Sequence, residues 1–207
     1  MPNSEPAHPP LAATAVKSRR RGATLETALL DAAWDELQAA GYPNLTMEAV
    51  AARAGTSRAV LYRRWPDRAA LVIATLRRHR PMLSGEIPDT GSLREDVLTL
   101  LRRISARLAE LGPDTIYGVL GDYFANTESF ATVQDQVLHI GAEVMATILK
   151  RAADRGEASS DIDPRIATLP TDLYRHELLI ARTPPNDGAI TDIVDKIFLP
   201  LVQRPDR

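Results

Sequence analysis

The chain has 207 residues, 44% of them hydrophobic, which is enough to bury one sizeable core or two small ones. It contains no cysteine, which excludes disulfides, thiolate nucleophiles and cysteine-ligated zinc, and its apolar runs fall far short of the about 20 residues a membrane-spanning helix needs. The net charge of -2 conceals a division: residues 17–80 carry 12 Lys and Arg against 6 Asp and Glu, whereas residues 81–207 carry 13 against 20. Such a chain is expected in the cytoplasm, with its basic end facing a polyanion and the remainder serving another purpose.

In chain order, residues 1–20 are proline-rich and read as a disordered N-terminal arm, not a signal peptide. Lys17, Arg19, Arg20 and Arg21 at its end either follow a minor groove or form a solvated tail. A first helix is predicted over 25–41, where Leu29, Leu30, Ala33, Trp34 and Leu37 recur at helical spacing and Gly41 supplies the stop. Thr46 then caps a short second helix with Met47, Val50, Ala51 and Ala54 on one face, ended by Gly55. Thr56 and Ser57 cap a third, whose Leu61 and Trp65 point inward before Pro66 closes it. Arg58, Arg63 and Arg64 cannot all be buried with them. Asp67 caps a fourth helix over 68–80, and Gly85–Gly91 reads as a domain junction.

Two short helices around one glycine, with small residues Ala51, Ala52, Ala54 and Gly55 at their contact, have the pattern of a helix-turn-helix. In that unit the second helix enters the major groove and arginines meet phosphates. The rival reading is a helical protein-interaction module whose basic hairpin binds an acidic protein partner.

Five further helices are predicted at about 92–111, 114–126, 129–155, 164–182 and 189–203, with no competing strand alternation, so the expected fold is all-α with about nine helices. The first of them carries the apolar stripe Leu93, Val97, Leu100, Leu101, Ile104, Leu108 and Leu111. Asp163 before Pro164 reads as an N-cap with proline at the first helical position, and not as half of a cation site. Pro170 should bend or delay that helix. The last helix shows Ile190, Ile193, Val194, Ile197, Phe198 and Leu201, a stripe that periodicity alone leaves open between intrachain core and dimer seam. Tyr117, Tyr123, Phe124 and Phe130 gather with Leu120 on the middle helices, either as plain core or around a cavity.

The run from Leu29 to Val72 resembles the N-terminal domain of TetR-type transcriptional regulators. The resemblance is carried by Ala32, Ala33, Gly41, Thr46, Ala54-Gly55, Leu61-Tyr62, Trp65 and Leu71. Residues 161–202 are similar to the last two helices of one group of these regulators. Thr56 stands where an apolar residue is usual, Arg64-Trp65 replaces a histidine-phenylalanine pair, and Arg68 replaces a lysine.

The resemblance implies a helix-turn-helix domain over 21–80, including its connecting helix, and a ligand-binding and dimerisation domain over 81–207. It implies a dimeric, ligand-responsive repressor on a palindromic double-stranded DNA operator, with DNA contacts from Thr46, Thr56, Ser57, Arg58, Ala59, Tyr62, Arg63, Arg64 and Arg68. Of these, Arg58 suits a guanine edge, and Tyr62, Arg64 and Arg68 suit phosphates. It also implies a largely apolar effector near Tyr117, Leu120, Tyr123, Phe124 and Phe130. The homodimer seam would be formed by Leu173, Leu178, Ile190, Ile193, Val194, Ile197, Phe198 and Leu201. No enzyme, cofactor or metal is expected: His8, His79, His139 and His176 lie far apart, and no phosphate-cradling or nucleophile motif occurs.

Overall fold

The computed structural model describes the backbone of residues 12–81, 86–125 and 127–203, with side chains described except at 12–22, 123–124 and 127–140. Among the described residues every regular element is helical: α1 (Ala12–Asn44), α2 (Met47–Arg53), α3 (Arg58–Tyr62), α4 (Arg68–His79), α5 (Leu93–Leu111), α6 (Pro113–Ala125), α7 (Thr127–Asp154), α8 (Pro164–Ala181) and α9 (Asp187–Asp192). The last continues through a π-helical turn (Ile193–Phe198) into α10 (Leu199–Val202).

Local chemistry accounts for the boundaries. α1 breaks at Gly41, whose φ of 71° is left-handed and therefore suits a residue without Cβ. The Thr46 hydroxyl accepts from the Ala49 N–H at 3.1 Å and the Asp67 carboxylate from Ala70 at 2.8 Å, capping α2 and α4. After α2, Gly55 is again left-handed, and the N–H of Thr56 returns to the Ala51 carbonyl at 2.9 Å, so the chain turns within three residues. Asp163 caps α8 by accepting from Arg165 at 2.8 Å.

Two departures from the sequence expectations stand out. α1 starts at Ala12, so helix enters the span read as a disordered arm; its alanines, lysine and arginines are strong helix formers. Pro170 lies inside α8 without delaying it, because the helix has already begun at Pro164 and loses only one backbone bond there.

The chain buries two cores. One joins Leu29, Ala33, Leu37, Tyr42, Leu45, Val50, Leu61, Trp65, Leu71 and Val72 from α1 to α4. The other joins Val97 and Leu101 of α5, Met145 and Ile148 of α7, Tyr174 and Leu178 of α8, and Ile193, Val194 and Phe198 of the last helix. Val119 of α6 packs on the first core although its helix belongs with the second. The segment leading into α5 is pinned to the second core. There, fully buried Asp96 accepts from the Thr90 N–H at 2.6 Å and the Thr90 hydroxyl at 2.8 Å, and Arg151 donates to the carbonyls of Ile87 and Pro88.

Candidate nucleic-acid interface

α2 and α3 form a hairpin with an apolar inner side and a polar outer one. Met47, Val50, Ala51, Leu61 and Trp65 are buried. Opposite them Thr46, Ser57, Arg58, Ala59, Tyr62, Arg63 and Arg64 are exposed, with Thr56 half-buried in the turn. Ser57 occupies the N-cap position of α3 without a side-chain bond to the helix. Tyr62 is exposed, at 49% accessible. Eight of the nine residues expected at DNA are thus gathered on the hairpin.

The ninth is not. Arg68 opens α4, beyond the hairpin. Its Nε donates to Asp122 Oδ2 at 2.5 Å and its Nη2 to Oδ1 at 3.3 Å, and its guanidinium lies 4.8 Å from the centre of the Tyr42 ring. A carboxylate on α6 faces the start of α4 and takes both arms of the fork, so the guanidinium expected at phosphate meets a carboxylate within the chain.

Tyr42 completes the arrangement, its ring buried and its hydroxyl donating to Asp122 Oδ2 at 2.8 Å. Burial, and then the bond to Asp122, push the phenol well above its usual range. The hydrogen bond from Arg68 holds the Asp122 carboxyl below the usual carboxylate range. Beneath the ring lies Gly118, where a Cβ would come within 2.3 Å of Tyr42 Cδ1. One side chain from α1, one from α4 and two positions of α6 therefore seat the basic domain on the acidic one. Sequence reasoning missed this seat because Tyr42 and Asp122 are 80 residues apart.

Most residues expected at the dimer seam face inward within the chain. Leu178, Ile190, Ile193, Val194 and Phe198 are buried within the chain, and Leu173 packs partly against the same core. Of the stripe only Ile197 and Leu201 are exposed; Leu179 and Ile180 on α8 join them, with Ile180 73% and Leu201 52% accessible. An apolar stripe at helical spacing faces its own core first, and only its last members, Ile197 and Leu201, turn outward.

Among the effector candidates, Tyr117 donates its hydroxyl to the Leu178 carbonyl at 3.0 Å under the Arg182 guanidinium, and Leu120 packs partly against the second core. The side chains of Tyr123, Phe124 and Phe130 lie outside the described residues. A cleft of about 450 Å³ opens between Trp34, Leu37 and Tyr42 on one side and Arg80, Leu111 and Thr115 on the other, and neither Tyr117 nor Leu120 lines it.

A compact hairpin with a buried inner face and an exposed arginine-rich outer one, carried on an all-helical body, defines a helix-turn-helix DNA-binding regulator. Residues 29–75 match the family described as bacterial regulatory proteins, tetR family, and residues 87–197 match the tetracyclin repressor-like C-terminal domain. The DNA-binding transcriptional repressor TetR of Mycobacteroides abscessus is 32% identical over 88% of this chain and 96% of its own. The HTH-type transcriptional regulator Rv1556 of Mycobacterium tuberculosis is 34% identical over 86% of this chain and 88% of its own. The crystal structure of the TetR family transcription regulator SCO0332, at 24% identity, superposes with a TM-score of 0.67 over 84% of this chain and 96% of that one. The chain belongs to the TetR family of DNA-binding transcriptional regulators. No described helix is long and apolar enough to cross a membrane.

Proposed function

We propose that the protein is a homodimeric repressor that binds a palindromic operator and releases it when a largely apolar small molecule enters the C-terminal domain. The observation that carries the DNA-reading part is the position of Arg58, Tyr62, Arg63 and Arg64, exposed on and just after a short helix whose Leu61 is buried. Arg58, at the first position of α3, reads a base edge, and Arg64, beyond its end, meets phosphate. The comparisons do not favour an acidic protein partner as the target of this hairpin.

Each protomer has one reading helix, so two protomers cover a palindrome whose half-sites lie ~10 bp apart or a multiple of that. Support for the pairing comes from Leu179, Ile180, Ile197 and Leu201, which leave large apolar side chains in water on two adjacent helices. Ile180→Lys should convert a dimeric mass to a monomeric one by light scattering and abolish operator binding; a monomeric wild-type mass with operator bound would refute the dimer.

The effector reading rests on α6, which carries Tyr117, Leu120, Tyr123 and Phe124 as well as both Gly118 and Asp122 of the seat. A ligand that favours one position of α6 shifts α4, provided it binds the DNA-incompetent state more tightly. The coupling expected is ~1–3 kcal/mol, a 5- to 150-fold loss of operator affinity. Replacing Tyr123 or Phe124 by alanine should abolish the response to an inducer; an unchanged response places the pocket elsewhere.

The test of base reading is fluorescence anisotropy on a duplex obtained by binding-site selection. Arg58→Ala should weaken that duplex about 5- to 150-fold and relax preference at one base pair. Arg64→Ala should weaken all duplexes alike and reduce the salt slope by about 1. Equal loss of specific and unrelated binding in both variants would overturn the division of roles.

A further inference from the structure

Between Thr46 and Trp65 the hairpin carries four arginines and a single acid, Glu48. On a surface that approaches a polyanion, an exposed carboxylate opposes binding, because every phosphate repels it. Its partner suggests what it contributes: Arg58 Nη1 donates to Glu48 Oε1 at 2.5 Å, and the two side chains are 63% and 54% accessible. The pair spans from α2 to the first residue of α3, so it fixes the arginine across the turn and not along one helix.

We infer that Glu48 is a positioning and specificity-determining residue, which holds the Arg58 guanidinium in place for a guanine edge and discounts its charge toward phosphate. The inference rests on the reading of Arg58 as the base contact.

Two physical arguments lead there. A guanidinium has five N–H donors, and a bidentate contact to guanine O6 and N7 uses two of them, so the arm held by Glu48 does not have to be surrendered. A long side chain restrained before binding loses less freedom on docking than one that is free. The second argument concerns charge. A guanine edge offers partial charges and rewards geometry, whereas a phosphate offers a full charge and rewards net charge. An arginine neutralised by a neighbouring carboxylate keeps most of the first interaction and loses much of the second. Glu48 thus weakens binding to unrelated DNA more than to the operator and widens the ratio between them. The hydrogen bond from Arg58 holds the Glu48 carboxyl below its ordinary range, and Glu48 raises Arg58 in turn, so both stay charged throughout the physiological range. Glu48 also lies in the first turn of α2, where a negative charge favours the helix dipole. That role concerns the fold and leaves base preference untouched, which separates the two.

The experiment uses the full chain and fluorescence anisotropy over a range of salt. The probes are the selected duplex, its single-base-pair variants, and an unrelated duplex of equal length. Glu48→Ala should bind the unrelated duplex more tightly with a salt slope steeper by about 1, as one more cationic group becomes available to phosphate. At the base pair that Arg58→Ala relaxes, Glu48→Ala should lose about 5-fold or more of the preference, and Glu48→Asp should restore part of it. The Glu48→Ala/Arg58→Ala double variant should show the same base preference as Arg58→Ala alone. Circular dichroism should show unchanged helix content in every variant, since both positions are exposed. An Arg58→Ala variant with unaltered base preference overturns the base-reading role and this inference with it. Relaxed preference in Arg58→Ala beside unchanged preference in Glu48→Ala, or an equal gain on specific and unrelated duplexes, overturns the role of Glu48 alone.

Discussion

Two arginines that stand ten residues apart, Arg58 and Arg68, are each paired with a carboxylate, and the pairs have little else in common. Arg58 and Glu48 meet by one bond in open solvent, with more than half of each side chain accessible. Arg68 and Asp122 meet by two bonds, each about 34% accessible, over a buried tyrosine ring that bonds the same carboxylate. An exposed pair adds little to stability, since solvent screens it and the side chains must be ordered to form it. A part-buried, doubly bonded and stacked pair adds more, and its loss leaves polar groups stranded. The junction between the domains is therefore built to hold, and the hairpin pair, which adds little to the fold, is free for the role in base preference proposed above. Substitutions at the junction should register in folding, those at the hairpin in base preference.

The sharpest way to break this division is Gly118→Ala. The added Cβ would stand 2.3 Å from Tyr42 Cδ1 and 2.7 Å from Cε1. The ring cannot swing aside without losing its bond to Asp122 and its stack with Arg68. Overpacking of this kind costs ~1–3 kcal/mol, against which alanine returns ~1 kcal/mol of helix propensity. A lowered urea midpoint is expected, with operator affinity falling as α4 loses its seat. A raised midpoint would show that the seat is loose.

Asp122→Ala comes next. It removes the acceptor of both Tyr42 and Arg68, for a loss of about 1–2 kcal/mol in urea unfolding, at the low end for charged bonds because the pair is partly solvated. The pH dependence follows from the directions of the shifts. Asp122 is held below its ordinary 3.8 in the folded chain, so its contribution is present above that value and disappears as pH falls through the lower folded one. Tyr42 is raised above its ordinary 10.0, so the stability it lends is present below that value and declines as pH climbs past it. The difference between wild type and Asp122→Ala should hold constant from pH 5 to 8 and shrink in acid. A difference that varied across neutrality would point to a titrating group other than these two.

What was legible in the sequence were features decided within a few residues. The caps Thr46, Asp67 and Asp163, the left-handed stops Gly41 and Gly55, and the inward Leu61 and Trp65 all follow from spacing and local hydrogen bonding, and with them the fold class and the exposed arginines of the hairpin. What was not legible depends on partners far along the chain. Arg68 carries the same charge whether or not a carboxylate faces it, and only the approach of α6, 54 residues away, brings Asp122 to it. The stripe Ile190, Ile193, Val194 and Phe198 has one periodicity whether it faces its own core or a second copy. The π-helical turn at Ile193–Phe198 shifts the register within the helix, so Phe198, Leu199 and Val202 face the core and Ile197 and Leu201 come to the outside.

The same limit holds for two glycines that look alike in the run GVLGDY. Gly118 and Gly121 sit three residues apart on α6, and helix propensity treats them identically. In the structure they differ: beside the close approach at Gly118, a Cβ at Gly121 would meet nothing within 4 Å among the described residues. Gly121 is exposed, and neither it nor Gly118 has a left-handed backbone. No contact among the described residues requires glycine there. Gly121→Ala should therefore stabilise the chain by up to ~1 kcal/mol through the reduced freedom of the unfolded state, raising the urea midpoint without altering its slope. The paired variants are the finest test of the contrast between junction and surface, because one chemical change on one helix should move the midpoint in opposite directions. If both alanines stabilise, Tyr42 is not pressed against α6. If both destabilise, α6 needs its glycines for a conformational change that a static packing argument does not contain, and the operator affinity of Gly121→Ala with and without inducer would then show the change directly.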